Sequence, residues 1–359
     1  MLVHICCSVD SHYFIQELRL AYPKEKIIAY FYDPNIHPYS EYELRFLDVK
    51  RSCEKLGIKL YKGKYEYEKW LNAVKGFENE PEKGARCEIC FDVRMQDSVK
   101  FAKKMKETKL TTTLLTSPKK DLKQLQKALQ KECDPFGIEF IAPDFRKNGG
   151  TQKQFALAKK EMLYHQDYCG CLYGLKKQKE NKNLIDELLS PINAQILPAS
   201  IEERIALYKK VCDLEKKKNT FEIVREKFLN YRLLSGLVQR DKKAVKSAIL
   251  FYSHFKNSYT KFTLNGDIKG LYKSTKDEIC FLDFEYFNAL CKHKFQDFEE
   301  IFTRPLKIKQ EIKLRQKLFG PYNLSPIIIL ERINGGKYEI KAKSEIYFDV
   351  KEKIVVRKT

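Results

Sequence analysis

Short apolar segments alternate with longer amphipathic segments along residues 1–175. The apolar segments predict strands at Leu2–Cys6, Ile27–Tyr32, Ile58–Tyr61, Leu110–Leu115 and Ile138–Ile141. Apolar residues at helical spacing predict helices at Tyr13–Tyr22, Ser40–Gly57, Tyr67–Val74, Asp121–Cys133 and Gln152–His165. Ser40 and Glu43 form a capping-box pattern at the start of the second of these helices. Because strands and helices alternate, we predict a parallel sheet with flanking helices.

The sequence changes character at the segment "LKKQKENKN", residues 175–183, in which Lys and Asn dominate. We therefore predict two domains, a catalytic α/β domain at residues 1–178 and an α+β extension at residues 179–359. In the extension, periodicity predicts helices at Ile201–Lys218 and Phe221–Leu237. The later segment "PIIILERINGGKYEIKAK" predicts strands joined at Asn334-Gly335-Gly336.

The chain of 359 residues carries 68 Lys and Arg against 48 Asp and Glu, a formal net charge of +20. Such a charge favours a polyanionic partner such as nucleic acid, although lysines also populate ordinary solvated surfaces. No segment approaches the roughly 20 apolar residues that span a bilayer, and the N-terminus does not resemble a signal peptide. We therefore predict a cytoplasmic protein that makes no membrane contact.

Six of the 11 cysteines form three close pairs, and each pair lies at the end of a predicted element. Cys6-Cys7 follows the first strand, Cys87-x-x-Cys90 opens a helix near Glu88, and Cys169-x-Cys171 follows a helix that ends near Gln166. In a doubly wound sheet, residues at such ends can meet along one edge. Because the cytosol is reducing, we predict that these thiols bind metal or carry redox chemistry and do not form structural disulfides.

Three chemistries fit the cysteine spacing. Zinc sites commonly use two CxxC-like pairs, whereas only one CxxC is present here. A dithiol relay suits a single CxxC. An iron–sulfur cluster accepts thiolates from loops at irregular spacing, which favours it here. Since six thiols exceed the needs of one four-ligand cluster, the surplus with Asp10 as an oxygen ligand predicts a second metal.

Several other side chains lie where a substrate is expected. Tyr39 and Tyr42 offer aromatic faces on which an unstacked base can rest. Lys119 and Lys120 follow a strand at the edge where open α/β sheets bind phosphates. In "DFRKNGG", Lys147 follows the last strand and lies before a Gly-Gly loop, so it is a further substrate-binding candidate.

Taken together, six segments resemble the cobalamin-independent epoxyqueuosine reductases, the QueH family, over residues 1–175. The segments are "HICCSVD", "YDPNIHPYSEYELR", "RCEICFDVR", "TTTLLTSPKKD", "DFRKNGG" and "YCGCLYG". The resemblance implies a Rossmann-like fold related to the PP-loop and HUP folds. It implies an oxidoreductase that converts the epoxide of epoxyqueuosine, at the wobble position of tRNAs with GUN anticodons, to the alkene of queuosine. It also implies a 4Fe–4S cluster, an additional mononuclear iron and an external electron donor.

The resemblance also implies roles for individual residues. The metal ligands would come from Cys6, Cys7, Asp10, Cys87, Cys90, Cys169 and Cys171. Many relatives have a cysteine at the position of Asp10, in a "CCAPC" pattern. The resemblance therefore leaves open whether the family's metal is bound at this position through sulfur or, as Asp10 would do, through oxygen. The resemblance makes Asp10, Tyr39 and Arg146 candidate catalytic groups that supply protons or hydrogen bonds. The extension at residues 179–359 is expected to bind tRNA or to support the first domain.

Two alternative functions remain open from the sequence. The segment "CCSVDS" also resembles the Ser-Gly-Gly-x-Asp-Ser loop of ATP pyrophosphatases, which would make the chain an ATP-dependent tRNA sulfurtransferase of the PP-loop type. However, Cys7 and Ser8 replace the glycines that allow a backbone to approach phosphate closely. The other alternative is a zinc-stabilised RNA-binding protein without catalytic activity.

Overall fold

The computed structural model describes residues 1–117, 122–166, 168–178, 196–321 and 323–357. The chain divides into two compact units. The first comprises the described residues of Met1–Ser190, Ser200–Val224 and Lys353–Thr359, and the second those of Pro191–Ala199 and Arg225–Glu352. Among the described residues, no helix has the length and apolar character needed to cross a membrane.

A parallel sheet of five strands forms the centre of the first unit. Its strands are β1 (Leu2–Ile5), β2 (Ile28–Phe31), β3 (Lys59–Lys62), β4 (Lys109–Thr112) and β5 (Glu139–Phe140). Their order is β3-β2-β1-β4-β5, and all neighbours pair in parallel. All residues of β1 and β2 are buried, as expected for the middle of a parallel sheet covered on both faces. The predicted parallel sheet with flanking helices is therefore confirmed.

Eight helices belong to the described part of this unit, and seven of them pack in two groups. They are α1 (Ser8–Ala21), α2 (Tyr39–Lys55), α3 (Tyr67–Ala73), α4 (Ala85–Lys104), α5 (Leu122–Cys133), α6 (Gly150–Lys160), α7 (Leu172–Gln178) and α8 (Ile201–Lys216). Helix α1 contacts α2 and α6, and α2 also contacts α8, whereas α4 contacts α3 and α5. Helix α8 is joined to α2 by an ion pair of 2.7 Å between Arg51 Nη1 and Glu215 Oε1.

The strand order reverses at β1, because β2 lies on one side of this strand and β4 on the other. His4 bonds to both neighbours, with Nε2 3.0 Å from the Tyr32 carbonyl oxygen and Nδ1 2.9 Å from Thr112 Oγ1. Burial, together with the positive charge of Arg94, lowers the pKa of His4 to about 3, so its ring is neutral. Open α/β sheets bind their ligands beyond the carboxyl ends of the strands at this reversal, which is where Cys6 lies.

Several predicted element boundaries in this unit are wrong, among them the start of α1, which lies at Ser8 instead of Tyr13. The strand at Leu110–Leu115 stops at Thr112, because the Thr112 hydroxyl accepts a hydrogen bond from the Leu114 N–H and caps a 3-10 turn at Thr113–Thr116. The helix at Gln152–His165 begins at Gly150 and ends at Lys160, and Met162 adopts a positive φ of 50° just beyond it. Ser40 is no cap, since α2 begins at Tyr39 after an N-cap at Pro38.

Two four-stranded sheets lie mainly in the second unit, although the first residues of β6 and the last residues of β13 are assigned to the first unit. One has the order β10-β11-β12-β8 and the other β7-β6-β13-β9. The strands are β6 (Phe221–Arg240), β7 (Lys243–Ala244), β8 (Ser247–Ile249), β9 (Tyr259–Leu264), β10 (Leu271–Lys273), β11 (Cys280–Asp283), β12 (Ile327–Leu330) and β13 (Gly336–Val356). The helices are α9 (Phe284–Leu290), α10 (Glu300–Thr303) and α11 (Ile308–Phe319).

The predicted helix at Phe221–Leu237 is wrong, because this segment lies in strand β6. Its apolar residues fit helical spacing, but Leu229, Leu234 and Leu237 are about 40% exposed and do not form a buried helical stripe. The strands predicted around Asn334-Gly335-Gly336 are present as β12 and β13. They belong to different sheets and do not pair as a hairpin.

Candidate metal centre

Cys6, Cys7 and Asp10 form a compact group of potential metal ligands where β1 passes into α1. One ligand atom from each of the three lies within 4.8 Å of the others. The Cys6 sulfur is 3.6 Å from Asp10 Oδ2, 3.9 Å from the Cys7 sulfur and 3.8 Å from Thr113 Oγ1. Because Thr113 follows β4 directly, this group lies at the reversal of strand order. The two adjacent thiols of the sequence are thus placed at the expected ligand-binding edge of the sheet.

The electrostatics of this group favour a bound cation. Burial, reinforced by the neighbouring Cys6 and Asp10 side chains, raises the pKa of the Cys7 thiol well above its ordinary value. A thiolate in such a place needs a compensating positive charge, and a metal ion supplies it by displacing the thiol proton. Two sulfur atoms and one carboxylate oxygen form a donor set of the kind that transition metals accept.

The second cysteine pair lies in the first turns of α4 and is linked to Cys6 through Arg94. Arg94 follows Cys90 by four residues, which places both on the same face of the helix. Its guanidinium is 2% exposed, forms an ion pair with Asp33 and lies within electrostatic range of Cys90, Cys6 and Cys169. One buried cation therefore has a cysteine of each of the three pairs around it. The Cys87 sulfur accepts a hydrogen bond of 3.3 Å from the Lys83 N–H.

The third pair lies in a loop that Arg45 of α2 holds in place. Arg45 donates from Nη1 to the Cys169 carbonyl oxygen at 3.2 Å and from Nη2 to the Tyr168 carbonyl oxygen at 3.0 Å. Its Nε donates to Glu41 Oε1 at 2.7 Å, which fixes the guanidinium plane. The Cys171 sulfur accepts a hydrogen bond of 3.2 Å from the Gly174 N–H. Hydrogen bonding to Cys169 and burial both raise the pKa of Cys171.

Gly170, between these two cysteines, is required by the geometry of the loop. Its φ of +111° is a conformation that residues with a side chain rarely adopt. A Cβ atom here would lie 2.9 Å from Ile36 Cγ1 and 3.1 Å from Arg45 Nη1. The "CGC" sequence therefore combines two thiols with the one residue that lets the loop approach α2.

Three buried hydrogen-bond donors lie beside these thiols with no acceptor among the described residues. They are the Tyr67 hydroxyl, the Trp70 indole N–H and the Nε of Arg94. Trp70 belongs to the same buried cluster as Cys90 and Cys171, and burial, with smaller contributions from Tyr173 and Cys171, raises the pKa of Tyr67 to about 12. Buried donors are nearly always paired in proteins. Together with the thiols, this donor set fits an anionic, sulfur-rich metal group.

A cavity of about 90 Å³ opens beside the group formed by Cys6 and Asp10. Its lining also includes Arg45, Arg94 and Cys169, which belong to the arrangement around the cysteine pairs. Gln154 of α6 fixes the carboxylate here, since its Nε2 donates to Asp10 Oδ1 at 2.7 Å. The cavity therefore gives a small molecule or substituent direct access to Cys6 and Asp10.

The structure places the other predicted site residues away from the cavity lining. Tyr39 is 54% exposed and packs against Tyr42 and Tyr65. Tyr42 is completely buried and donates to the Gly63 carbonyl oxygen at 3.3 Å, so its predicted role as a stacking surface is corrected to core packing. Arg146 donates to the carbonyl oxygen of Ser117, which does line the cavity.

Lys119 and Lys120 were predicted as phosphate contacts, and Lys147 as a further substrate contact. The side chain of Lys147 is 75% exposed and lies 3.9 Å from Asp144 Oδ2, so it is accessible to a polyanion. Lys119 and Lys120 lie outside the described residues.

Four residues of the site were not predicted from the sequence, and they are Arg45, Trp70, Arg94 and Gln154. Of these, Arg94 could have been found, because its spacing from Cys90 is that of one helical turn.

The sequence of this chain is similar to those of several named proteins. The sequence pattern of the family described as "Epoxyqueuosine reductase QueH" matches residues 1–177. Epoxyqueuosine reductase QueH of Helicobacter pylori is 41% identical over 349 residues, covering 92% of this chain and 94% of that protein. The QueH protein of Haemophilus influenzae is 37% identical over 177 residues, covering 49% of this chain and 71% of that protein. Similarity to the Helicobacter protein thus extends beyond the part matched by the family pattern.

One solved structure also resembles the chain. The U34-tRNA thiolase NcsA from Methanococcus maripaludis, solved with its [4Fe-4S] cluster, covers 59% of this chain and 73% of its own. The TM-score is 0.30 and the sequence identity is 16%.

Proposed function

The chain belongs to the epoxyqueuosine reductase QueH family, and from this we propose that it reduces the epoxide of epoxyqueuosine in tRNA to the alkene of queuosine. The proposal rests on one structural observation in particular. Cys6, Cys90 and Cys169, one from each cysteine pair, lie within electrostatic range of Arg94, and Cys6, Cys169 and Asp10 line a cavity that Arg94 also lines. Family membership also favours this reaction over the ATP-dependent sulfurtransferase that "CCSVDS" suggested.

The proposed reaction sets requirements that the site must meet. Both carbon–oxygen bonds of the epoxide break, a carbon–carbon double bond forms, and the oxygen leaves as water. This consumes two electrons and two protons, and the electrons come from an external donor. The chain has to hold the epoxide against a group that delivers electrons and to provide hydrogen bonds to the departing oxygen.

We propose that the six paired cysteines and Asp10 hold a 4Fe–4S cluster and one additional iron. Cysteine thiolates are the usual ligands of such clusters, and Asp10 adds an oxygen donor to the Cys6 and Cys7 pair. The metal group supplies single electrons and Lewis acidity when bound. The Lys83 and Gly174 N–H groups, which bond to Cys87 and Cys171, stabilise negative charge on these sulfurs.

The protein residues around the cavity orient the ligands and the substrate. Gln154 holds one oxygen of Asp10, so that the other oxygen is directed to Cys6. Arg45 keeps the Cys169 loop at the edge of the cavity through two hydrogen bonds. Of the three proposed catalytic residues, Asp10 lines the cavity, whereas Tyr39 and Arg146 do not.

We propose that the partner is tRNA with a GUN anticodon and that the reaction takes place in the cytoplasm. The net charge of +20 favours binding of the phosphate backbone, and the exposed Lys147 is one contributor. Lys119 and Lys120 remain proposed contacts from the sequence. We further propose that the chain beyond residue 178 binds the tRNA.

The experiment that tests the function is anaerobic turnover of tRNA that carries epoxyqueuosine, with mass spectrometry of the digested nucleosides. With a low-potential reductant, the protein is expected to convert epoxyqueuosine to queuosine. Cys90→Ala should abolish the conversion. Cys133→Ala is the matched control, because Cys133 is fully buried in the core of the same unit and belongs to none of the pairs. Unchanged epoxyqueuosine with iron-loaded wild-type protein would refute the proposed function.

A further inference from the structure

The cavity beside Cys6 and Asp10 is bordered by a group of side chains with no role in the arrangement described so far. Phe155 of α6 is 39% exposed and lines the cavity together with His165, which is also exposed. Their ring centroids lie 5.6 Å apart with an interplanar angle of 49°. This pair of exposed aromatic rings offers flat apolar faces to a ligand at the cavity.

Gln166, which follows His165, adds an unused polar atom to the same border. Its Oε1 is buried and has no hydrogen-bond partner among the described residues. Its side chain lines the cavity that Cys6 and Asp10 also line. A buried carboxamide oxygen that no protein group satisfies is costly unless a ligand donates to it. The amide and amino hydrogens on the edge of a guanine-type base are donors of this kind.

The size of the cavity decides which part of a nucleotide enters it. A volume of about 90 Å³ is far below the 300–1,000 Å³ of ordinary ligand pockets. It therefore admits a small substituent and excludes a whole nucleoside. A base whose substituent reaches Cys6 and Asp10 therefore has to lie at the mouth of the cavity, against the Phe155, His165 and Gln166 side chains that line it.

We propose that Phe155, His165 and Gln166 form the binding site for the modified wobble base, a proposal that rests on the proposed function. The base stacks on the Phe155 and His165 rings, its edge donates to the Gln166 carboxamide, and its epoxide-bearing substituent enters the cavity. Proteins that bind unpaired RNA bases commonly combine aromatic stacking with hydrogen bonds to the base edge. These three residues contact the substrate, and they are not ligands of the metal group.

The test compares Phe155→Ala with Phe155→Trp in the full chain loaded with iron. The substrate is an anticodon stem-loop RNA with epoxyqueuosine, and the readouts are the dissociation constant, KM and kcat. Loss of one stacked base weakens binding about ten-fold or more. We expect Phe155→Ala to raise the dissociation constant and KM about ten-fold with iron content unchanged, and Phe155→Trp to restore both.

Phe136→Ala is the matched control. Phe136 is 49% exposed in the same unit, packs under the Lys103 ammonium and does not line the cavity. This variant should bind as the wild type does. Equal affinity and KM for Phe155→Ala and wild type would overturn the base-binding site while leaving the proposed function intact. Failure of the wild type to convert the stem-loop at all would instead refute the proposed function.

Gln166→Leu tests the hydrogen bond separately. The wild type is expected to bind a stem-loop with guanine at the wobble position more tightly than one with adenine. Because leucine has a similar size and no acceptor, Gln166→Leu should reduce this preference several-fold. A preference that stays unchanged would overturn the contact of Gln166 with the base edge.

Discussion

Gln154 and Asp10 form a buried hydrogen bond of 2.7 Å between Nε2 and Oδ1. The bond joins α6 to the first turn of α1, and it leaves Asp10 Oδ2 at 3.6 Å from the Cys6 sulfur. A residue 144 positions away in the sequence thereby sets the orientation of a proposed metal ligand. Partners of this kind commonly change metal affinity 10–100-fold.

We predict that Gln154→Leu loses the proposed single iron and keeps the cluster. Without the amide donor, the Asp10 carboxylate loses the hydrogen bond that fixes its Oδ1 atom. Iron and sulfide analysis of anaerobically reconstituted protein measures the loss as less iron at constant sulfide. Gln152→Leu, an exposed change on the same helix, should keep all its iron. Full iron content in Gln154→Leu would show that Asp10 needs no fixed orientation.

Gly170→Ala should destabilise the Cys169-x-Cys171 loop. The added Cβ contacts Ile36 and Arg45 at 2.9 and 3.1 Å, so the loop has to move away from α2. Overpacking of this kind typically costs about 1–3 kcal/mol of unfolding free energy. Urea denaturation of the metal-free protein measures this cost, and iron content reports the loss of Cys169 and Cys171 as ligands.

Gly76→Ala is the control that distinguishes the cost of a positive φ from the cost of the contacts that a Cβ atom makes at Gly170. Gly76 has a similarly positive φ of +88°, but a Cβ there has no neighbour within 4 Å. It should lose less stability than Gly170→Ala and bind iron normally. Equal effects of the two substitutions would mean that the contacts of Gly170 do not hold the loop.

Trp70→Phe and Tyr67→Phe should lower the reduction potential of the proposed cluster. Both remove a buried donor beside Cys90 or Cys171, and hydrogen bonds to cluster sulfurs stabilise the reduced, more negative state. A redox titration followed by electron paramagnetic resonance measures the potential. Tyr65→Phe is the control, since its hydroxyl already donates to the Ile36 carbonyl oxygen at 2.7 Å. Potentials equal to that of the wild type would exclude both donors from the cluster environment.

Glu311 in the second unit should make stability depend on pH. Burial raises its pKa from 4.5 to about 7, although the Tyr252 N–H and Arg315 oppose the rise. In the unfolded chain the carboxyl ionises near 4.5, so raising the pH from 4.5 to 7 favours unfolding. Relative to Glu311→Gln, the wild type should lose roughly 1–3 kcal/mol of unfolding free energy across this window.

Urea denaturation of both proteins between pH 4.5 and 8 measures this difference. Glu331→Gln, a change at a 59% exposed side chain of the same unit, should show a constant difference from the wild type. A constant difference for Glu311→Gln as well would show that Glu311 ionises in the fold as it does in the unfolded chain.

The strands and helices of the first unit could be predicted well, because its strands are short apolar segments and its helices have apolar residues at helical spacing. The buried apolar segments around β1 and β2 and the three cysteine pairs at element ends are visible in the sequence, and so is the parallel sheet that follows from them. The element ends were harder to predict. Thr112 ends β4 through a bond of its own hydroxyl, and no sequence period reveals this.

Features that depend on distant partners could not be predicted. The segment at Phe221–Leu237 has helical spacing, yet it becomes β6 because β13, more than 100 positions later, is its neighbour in the sheet. Tyr42 follows the turn after β2 as Tyr39 does, but only Tyr39 is exposed. Arg45 holds the loop at Cys169, and Gln154 holds the Asp10 carboxylate. Both partners are more than 100 positions away in the sequence.

Mössbauer spectroscopy of anaerobically purified, ⁵⁷Fe-enriched protein measures whether the chain holds both proposed iron sites. We expect signals of a four-iron cluster and of one separate iron, with the separate signal lost in Asp10→Ala and the cluster signal lost in Cys90→Ala. Colourless protein that holds only zinc after anaerobic reconstitution would contradict this expectation.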